Sequence, residues 1–201
     1  VTQQYFKPYP VCRWAQAPIA AVLDLKVQHN IESKDISGVH ITSFHEAVRL
    51  GHKIVTNTEE AQYSTSFPCA VALVHGDVSP EHIADNALKH PEIQRLSSVL
   101  TMGEDEKANA VFPKSRLARA DITLKNGQVL ASAWFEPKWD PSAPPTQEEL
   151  TKKFHDYATP VLGDTRTQEI FDAIMLLENT DTQHLFDLLS IPPEELKIHV
   201  S

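Results

Sequence analysis

The amino-acid sequence predicts an α+β fold in which helices pack on an antiparallel β-sheet. Apolar and polar residues alternate over residues 36–44, which is typical of a strand. Asn126-Gly127 separates two further alternating runs, which predicts a β-hairpin with a type I′ turn. Elsewhere, apolar residues recur at helical spacing behind proline or capping residues. A helix, a strand, further helices, further strands that include the hairpin, and final helices therefore follow one another along the chain.

Prolines and glycines mark the predicted helix ends in the first half of the chain. Pro18 fits the first turn of a helix, where a missing N–H costs nothing. The segment before Gly76 is apolar almost all round, so we expect it at the centre of the core. The predicted helices cover residues 18–29, 45–50 and 68–74, and two more begin at Pro80 and Pro91.

The second half of the chain carries the hairpin and the clearest capping signals. Thr146 with Glu149 forms a capping-box pattern, Thr165 with Gln168 repeats it, and Asp181 is predicted to cap a last helix. The predicted elements are a strand over residues 97–102, a loop over 107–116, the hairpin over 120–133, a Pro-rich crossing segment over 136–145, helices over 146–157 and 165–177, a short helix after residue 181 and a surface tail over 191–201.

Composition and charge narrow the functional classes. The residues are 41% hydrophobic and 22% charged, as in ordinary globular proteins, and no apolar run reaches the roughly 18 to 20 residues that span a membrane. The net charge of −9 argues against nucleic acid as a general partner, because phosphate binding needs a basic face. Cys12 and Cys69 are the only cysteines and do not make a disulfide framework, so we predict a cytoplasmic protein.

Several kinds of chemistry have no sequence signature in this chain. No pair among the ten histidines has the spacing of metal ligands on one helix, so we predict no metal site. The six glycines include no phosphate-binding loop, and no G-x-S-x-G nucleophile motif occurs.

A Pro-rich arm near the N-terminus gathers polar groups. Residues before proline avoid the helical region, so we expect Lys7 and Tyr9 to be extended and the arm to lead stiffly into a helix. Lys7, Tyr9 and Arg13 offer an ammonium, a phenol and a guanidinium within a few residues, and these donors suit a small ligand rich in carboxylates. The alternative is an arm whose prolines only mark a boundary.

The arm also carries a family resemblance. Phe6-Lys7-Pro8-Tyr9-Pro10 followed by Cys12-Arg13-Trp14 resembles the start of the C-terminal domain of the MmgE/PrpD superfamily. That superfamily contains 2-methylcitrate dehydratase, cis-aconitate decarboxylase and iminodisuccinate epimerase. Further segments resemble it in the same order and extend the likeness over most of the chain. They are Ala61-Gln62-Tyr63-Ser64 with Ala70-Val71-Ala72-Leu73, Ala120-Asp121-Ile122-Thr123-Leu124-Lys125-Asn126-Gly127, and Asp140-Pro141 with Lys152-Lys153-Phe154.

The resemblance implies that residues 1–201 are the smaller α+β lid domain of a two-domain enzyme. A large N-terminal helical domain, absent from this chain, would supply most acid–base residues, and the active site would lie in the cleft between the domains. The implied substrates are small di- or tricarboxylates, without a metal or organic cofactor, and relatives are commonly homodimers. A chain that starts without Met also suggests a segment of something longer.

The resemblance also implies roles for particular residues. Lys7 would face the cleft as the catalytic residue, partly desolvated beside Tyr9, and would pair with a carboxylate or move a proton. Tyr63 and Ser64 would approach the same cleft and help to bind substrate. From their chemistry, Tyr9 and Arg13 are further candidates for substrate binding, with a buried phenol and a structural ion pair as the alternatives.

The chain departs from the family pattern at two positions. Many relatives have a histidine where this chain has Gln16, and glutamine can donate a hydrogen bond but cannot titrate. Many relatives also have glycine before the Asp-Pro of the crossing segment, where this chain has Trp139. Proton transfer from the first of these positions is therefore in doubt.

The functional prediction is the lid of a lyase- or isomerase-type enzyme. The whole enzyme would remove a proton next to a carboxylate and then expel water, expel carbon dioxide or return the proton to the other face. The sequence does not choose among dehydration, decarboxylation and epimerisation. The rival interpretation is a stand-alone binding or assembly module with the lid fold. Under either interpretation the isolated chain is expected to be inactive.

Overall fold

The computed structural model describes residues 4–51, 55–179 and 181–191. The chain divides into two compact units, Val1–Pro145 and Thr146–Ser201, and each is described by itself. The first unit holds a β-sheet with helices, and the second is helical. Most of the predicted tail, residues 192–201, lies outside the described residues.

The sheet has mixed strand directions. Its strands are β1 (Ile36–Ser43), β2 (Leu100–Glu104), β3 (Ala118–Leu124) and β4 (Val129–Ala131), in the order β2-β1-β3-β4. β1 pairs with β3 and β3 with β4 in antiparallel fashion, but β1 and β2 are parallel. The predicted α+β class is confirmed, whereas the antiparallel arrangement is only partly right. A parallel pair needs a long crossover, and helical segments between β1 and β2 provide it.

The helices of the first unit surround this sheet. They are α1 (Arg13–Gln28), α2 (His45–Arg49), α3 (Thr58–Tyr63), α4 (Phe67–His75), α5 (Pro91–Val99) and α6 (Glu106–Val111). Short 3-10 turns cover Ser33–Asp35 and Glu81–Ile83, so the helix predicted at Pro80 is a single turn. α1 packs against β3 and α4, and α5 packs against α4 and β1.

Three predicted boundaries are wrong. α1 begins at Arg13, and Pro18 lies inside the helix. A helix, α6, occupies residues 107–111 of the predicted loop, because the Asp105 carboxylate caps it by accepting the N–H groups of Lys107 and Ala108. Helix α5 continues to Val99, so β2 starts three residues later than predicted.

The predicted hairpin joins β3 and β4, but its turn is not type I′. A type I′ turn needs a positive φ at both central residues. In this turn Gly127 has a φ of 87°, but the φ of Asn126 is not positive. The N–H of Gly127 donates to the carbonyl of Leu124, and the Asn126 side chain accepts the N–H of Gln128. The asparagine therefore holds the turn through its side chain, and the glycine supplies the left-handed residue.

The main core lies between the sheet and helices α1, α4 and α5. Every residue of α4 from Phe67 to Leu73 is buried, which agrees with its apolar sequence. Leu25 of α1 and Ile122 of β3 are also buried, and burying side chains of this size contributes about 1.5–3 kcal/mol each. This core fixes α1, and the position of α1 in turn fixes the arm before it.

A smaller aromatic cluster lies at the N-terminal end of α1. The Phe44 and Phe112 rings stack with 4.5 Å between their centroids, and Trp14 meets both rings edge-on. Arg116 and Arg119 border this cluster, with their guanidinium groups near the rings of Phe112 and Trp134. The first turn of α1 is therefore packed firmly in place.

Three histidines meet where α4 ends. The rings of His75 and His82 stack with 4.0 Å between their centroids, and His90 approaches His75 edge-on. Burial, followed by the charges of His82 and His90, lowers the pKa of His75, while Glu81 and Asp77 oppose that shift. The neutral imidazole is therefore favoured at this corner.

The second unit contains α7 (Gln147–Leu162), α8 (Asp164–Met175) and α9 (Gln183–Leu189). The capping box of Thr146 and Glu149 is confirmed, and α7 runs beyond its predicted end. The second predicted capping box is wrong, because α8 starts directly after Gly163, which has a φ of 78°. Asp181 accepts the N–H of Gln183 at the start of α9. Across the described parts of the chain, no helix is long and apolar enough to cross a membrane.

Candidate active site

The arm before α1 is held by contacts from three directions. The N–H of Phe6 donates to the carbonyl of Trp139 at 3.1 Å, and the N–H of Cys12 donates to the carbonyl of Gln62 at 2.7 Å. Gln16 bonds to the backbone of Tyr9 from inside the protein. The chain bends over residues 8–11, whereas we predicted a stiff, extended arm that leads directly into the helix. These contacts bring three of the segments that carry the resemblance to the start of α1.

Lys7 lies on the exposed side of the arm. Its neighbour Phe6 is anchored to the crossing segment, and Tyr9 is anchored to α1. The Lys7 side chain is exposed to solvent in this chain, so the expected partial desolvation of its ammonium group is not observed. Its catalytic role stays a prediction, and the structure contributes a backbone that is held on both sides of it.

Arg13 is the buried cation of this region. Its side chain is only 6% exposed, and Nη2 forms an ion pair with Oδ1 of Asp140. The Tyr5 ring covers one face of the guanidinium, with its centroid 3.6 Å from Cζ. Among the described residues, no hydrogen-bond acceptor reaches its buried Nε and Nη1 atoms. Unmatched buried donors are costly, so this guanidinium still has capacity for an anionic acceptor.

The electrostatics around Arg13 point the same way. Burial lowers the pKa of Arg13, Asp140 opposes the shift, and the nearby Arg116 adds to it. Arg116 also has a buried Nε without an acceptor among the described residues. Arg13 thus lies near one carboxylate, Asp140, and one further guanidinium group, Arg116, in a protein whose net charge is −9. A local excess of positive charge favours a small anion here.

Tyr9 lies with its backbone toward α1 and its ring partly buried against the main core. Burial, reinforced by the charge of Asp77, raises the pKa of Tyr9 to about 12. The phenol therefore stays protonated at neutral pH and can act only as a neutral hydrogen-bonding group. The predicted alternative of a buried phenol fits this geometry better than direct substrate binding.

Tyr63 and Ser64 follow the residue whose carbonyl binds Cys12, but their side chains differ in exposure. Tyr63, at the end of α3, is 58% exposed. Ser64 is fully buried, and its hydroxyl accepts the N–H of Phe67 at 3.0 Å. In this structure Ser64 fixes the turn into α4, and Tyr63 is the member of the pair that a ligand can reach.

Trp139 adopts a conformation that glycine favours. Its φ is 67°, a region that costs an L-residue about 1–2 kcal/mol. The resemblance places glycine at this position in many relatives, and the observed φ is a physical reason for that preference. The carbonyl of this residue accepts the N–H of Phe6, so the unusual backbone docks the arm.

Sequence reasoning missed the partners of the predicted site residues. Asp140 belongs to a motif of the crossing segment, but neither it nor Arg116 has a predicted role in binding. The one sequence signal for Asp140 was its place in the crossing segment, since an ion pair 127 residues apart leaves no local pattern. Within the described ranges, no cluster of three or more His, Cys, Asp or Glu side chains could hold a metal ion, and Cys12 and Cys69 are both unpaired.

Comparison with known proteins gives one match. A family model described as the MmgE/PrpD C-terminal domain matches residues 9–178. No curated protein matches the chain. The matched residues include the arm from Tyr9 onward, α1, the whole sheet and the crossing segment.

Proposed function

The chain belongs to the MmgE/PrpD C-terminal domain family, and from this premise we propose that it is the lid domain of an enzyme that acts on a small di- or tricarboxylate. The family is one of dehydratase-type enzymes, and its members are generally lyases. The proposed chemistry moves a proton at a carbon next to a carboxylate. Dehydration removes the proton and expels water, epimerisation removes it and returns a proton to the other face, and decarboxylation releases carbon dioxide and adds a proton to the carbanion that remains. The lid would close on a helical domain that supplies the other acid–base groups, and the whole enzyme would be a homodimer.

The observation that carries this proposal is the buried guanidinium of Arg13 beside the arm of Lys7. Arg13 has two donor atoms without acceptors among the described residues, and its partner Asp140 uses only part of its capacity. A carboxylate is the natural acceptor, because charge-assisted bonds to guanidinium are among the strongest in proteins. An exposed ammonium on the adjoining arm provides a second cationic contact.

The proposed roles follow from exposure. Lys7 would contact one carboxylate and hold or transfer a proton, since its side chain is exposed. Arg13 is only 6% exposed, so it would act through its charge, which favours a second carboxylate bound beside it. Tyr63 would contribute its exposed phenol, while Ser64, which is buried, and Tyr9, which is partly buried, would position the backbone that carries the site. No step of this proposal needs a metal or an organic cofactor.

The experiment follows the movement of a proton at a carbon next to a carboxylate, which all three reactions share. Epimerisation and decarboxylation in D2O place deuterium on carbon, and dehydration forms an alkene, so the whole natural protein would be incubated in D2O with a panel of di- and tricarboxylates and followed by proton NMR. We expect deuterium incorporation or product with at least one acid, and none with the 201-residue chain alone. Absence of both deuterium incorporation and product with every acid, when the whole protein is used, would overturn the proposal.

Lys7→Ala tests the role of the arm. We expect it to lower turnover by about 10²-fold or more, the usual range for a group that moves a proton. Lys89→Ala is the matched control, because Lys89 is also exposed and lies outside the arm. Equal turnover in the wild type and both variants would show that Lys7 has no catalytic role.

The mass of the natural gene product separates this proposal from the binding-module interpretation. A mass near twice 22.5 kDa or more would agree with a lid joined to a helical domain. A product of about the size of this chain would favour a module that acts through a separate partner chain. The search would then turn to that partner.

A further inference from the structure

We infer that Gln16 is a positioning residue that holds the Pro-rich arm and thereby sets the place of Lys7. The inference rests on the proposed function for the role of Lys7, but not for the hold on the arm. Gln16 lies in α1 and is only 2% exposed. A buried primary amide must find partners for two donors and one acceptor, and here all of its partners are backbone groups of residues 9–12.

The contacts of the amide form a clamp. Oε1 of Gln16 accepts the N–H of Tyr9 at 3.2 Å. Nε2 donates to the carbonyls of Tyr9 at 3.1 Å, Val11 at 3.2 Å and Cys12 at 3.4 Å. The amide thus binds both the N–H and the carbonyl of Tyr9, which lie on either side of its Cα. A single glutamine side chain replaces the pairing that a neighbouring strand would give.

The prolines explain why the arm needs this clamp. Pro8 and Pro10 have no N–H, so Tyr9 carries the only N–H between Lys7 and Val11. Strand pairing would leave most of this segment without donors. Gln16 satisfies the one N–H and several carbonyls at once, and Trp139 holds Phe6 on the far side of Lys7. Lys7 therefore lies between two fixed points.

The choice of glutamine also removes pH dependence from the arm. A neutral histidine in this place could accept the Tyr9 N–H and donate to one carbonyl, but imidazolium has two donors and no acceptor. Below its pKa a histidine would release the Tyr9 N–H. Gln16 keeps the same contacts at every pH at which the protein is folded, so in this chain the position serves geometry and not proton transfer.

The test uses the Tyr9 amide as a reporter. Hydrogen exchange of this amide would be measured by NMR in the 201-residue chain as wild type, Gln16→Met and the control Gln28→Met. Gln28 is exposed on the same helix, and its side chain donates a hydrogen bond to Asp24. We expect Gln16→Met to lower the protection of the Tyr9 amide at least about tenfold, while the Leu25 amide inside α1 is unchanged. Unchanged protection at Tyr9 would overturn the clamp.

Gln16→His guards against a variant that merely unfolds. We expect it to protect the Tyr9 amide at pH 8 and to lose that protection at pH 5, between which an ordinary imidazole titrates, after correction for intrinsic exchange. Wild type should show no such change. Loss of protection at both values with the α1 amides intact, or at neither value, would contradict the proposed contacts.

The link to Lys7 needs a readout in the whole enzyme. In the whole enzyme, the kcat of Gln16→His should fall more steeply than that of the wild type as the pH is lowered. KM should change less, because a displaced lysine impairs proton transfer more than it impairs substrate binding. A wild-type protein without turnover would refute the proposed function and leave the exchange test standing. Loss of Tyr9 protection without any change in kcat would refute the positioning role alone.

Discussion

Removal of Asp140 is the sharpest test of the charge balance at the candidate site. Asp140→Ala takes away the one carboxylate paired with Arg13, whose donors Nε and Nη1 already have no acceptor among the described residues. Breaking a buried ion pair costs about 3–5 kcal/mol, and an exposed pair contributes about 0–1 kcal/mol. Arg13 is 6% exposed and Asp140 is 38% exposed, so we expect a loss of about 2–3 kcal/mol in the free energy of unfolding.

The assay is urea unfolding followed by tryptophan fluorescence. Trp14, Trp134 and Trp139 all lie in the first unit, so the signal reports on the unit that contains the site. Urea is preferred to guanidinium because guanidinium is a salt and screens the ion pair. With a slope of about 2 kcal/mol/M, the midpoint should fall by about 1–1.5 M.

A second substitution separates the ion pair from simple loss of packing. Arg13→Met removes the buried charge together with its unmatched donors, so Arg13→Met combined with Asp140→Ala should be more stable than Asp140→Ala alone. The reasoning is refuted if the double variant is less stable than Asp140→Ala. It is also refuted if Asp140→Ala shifts the midpoint by less than about 0.25 M, the effect of a weak exposed pair.

Three further predictions concern single groups. Burial and Asp77 raise the pKa of Tyr9 to about 12, so the unfolded state loses this proton first and stability should fall as pH rises from 10.0 toward 12. Tyr9→Phe should abolish the step at the highest pH in a tyrosinate absorbance titration, and an unchanged titration would contradict the raised pKa. The pKa of His75 is lowered, so its pH effect is opposite: its contribution to stability should be fully present above pH 6.5 and should be lost as the pH falls below that value. His75→Asn should flatten the dependence of the urea midpoint on pH in this range. Gly76 ends α4 with a φ of 76°, so Gly76→Ala should cost about 1–2 kcal/mol by urea unfolding, whereas Gly38→Ala, which lacks a positive φ and meets only an ordinary contact, should cost less.

Local signals in the sequence predicted much of the fold. The capping box at Thr146 and the apolar segment of α4 act within a few turns of helix, so the sequence around them is sufficient. The hairpin was also found, because Asn126-Gly127 marks a turn whatever the rest of the chain does. Its turn type was wrong, since the asparagine side chain bonds to Gln128 and keeps its own φ negative.

The candidate site was predicted less completely than the fold. The sequence and the family resemblance pointed to the arm with Lys7 and Arg13, and the structure holds that arm firmly at the start of α1. Ser64 was expected to bind substrate, but its hydroxyl points inward because it accepts the N–H of Phe67. Exposure of a hydroxyl depends on the packing of α4, which residue type alone does not reveal.

Local sequence was enough to predict the α+β class, the positions of most helices and the polar arm before α1, because each of these depends on residues that are neighbours along the chain. Tertiary structure decided the parallel pairing of β1 with β2, the ion pair of Arg13 with Asp140 and the left-handed backbone of Trp139. Arg13 and Asp140 are 127 positions apart, and no local preference links them. They meet only after the core has fixed α1 and the crossing segment in space, so the charge balance of the site is a product of packing.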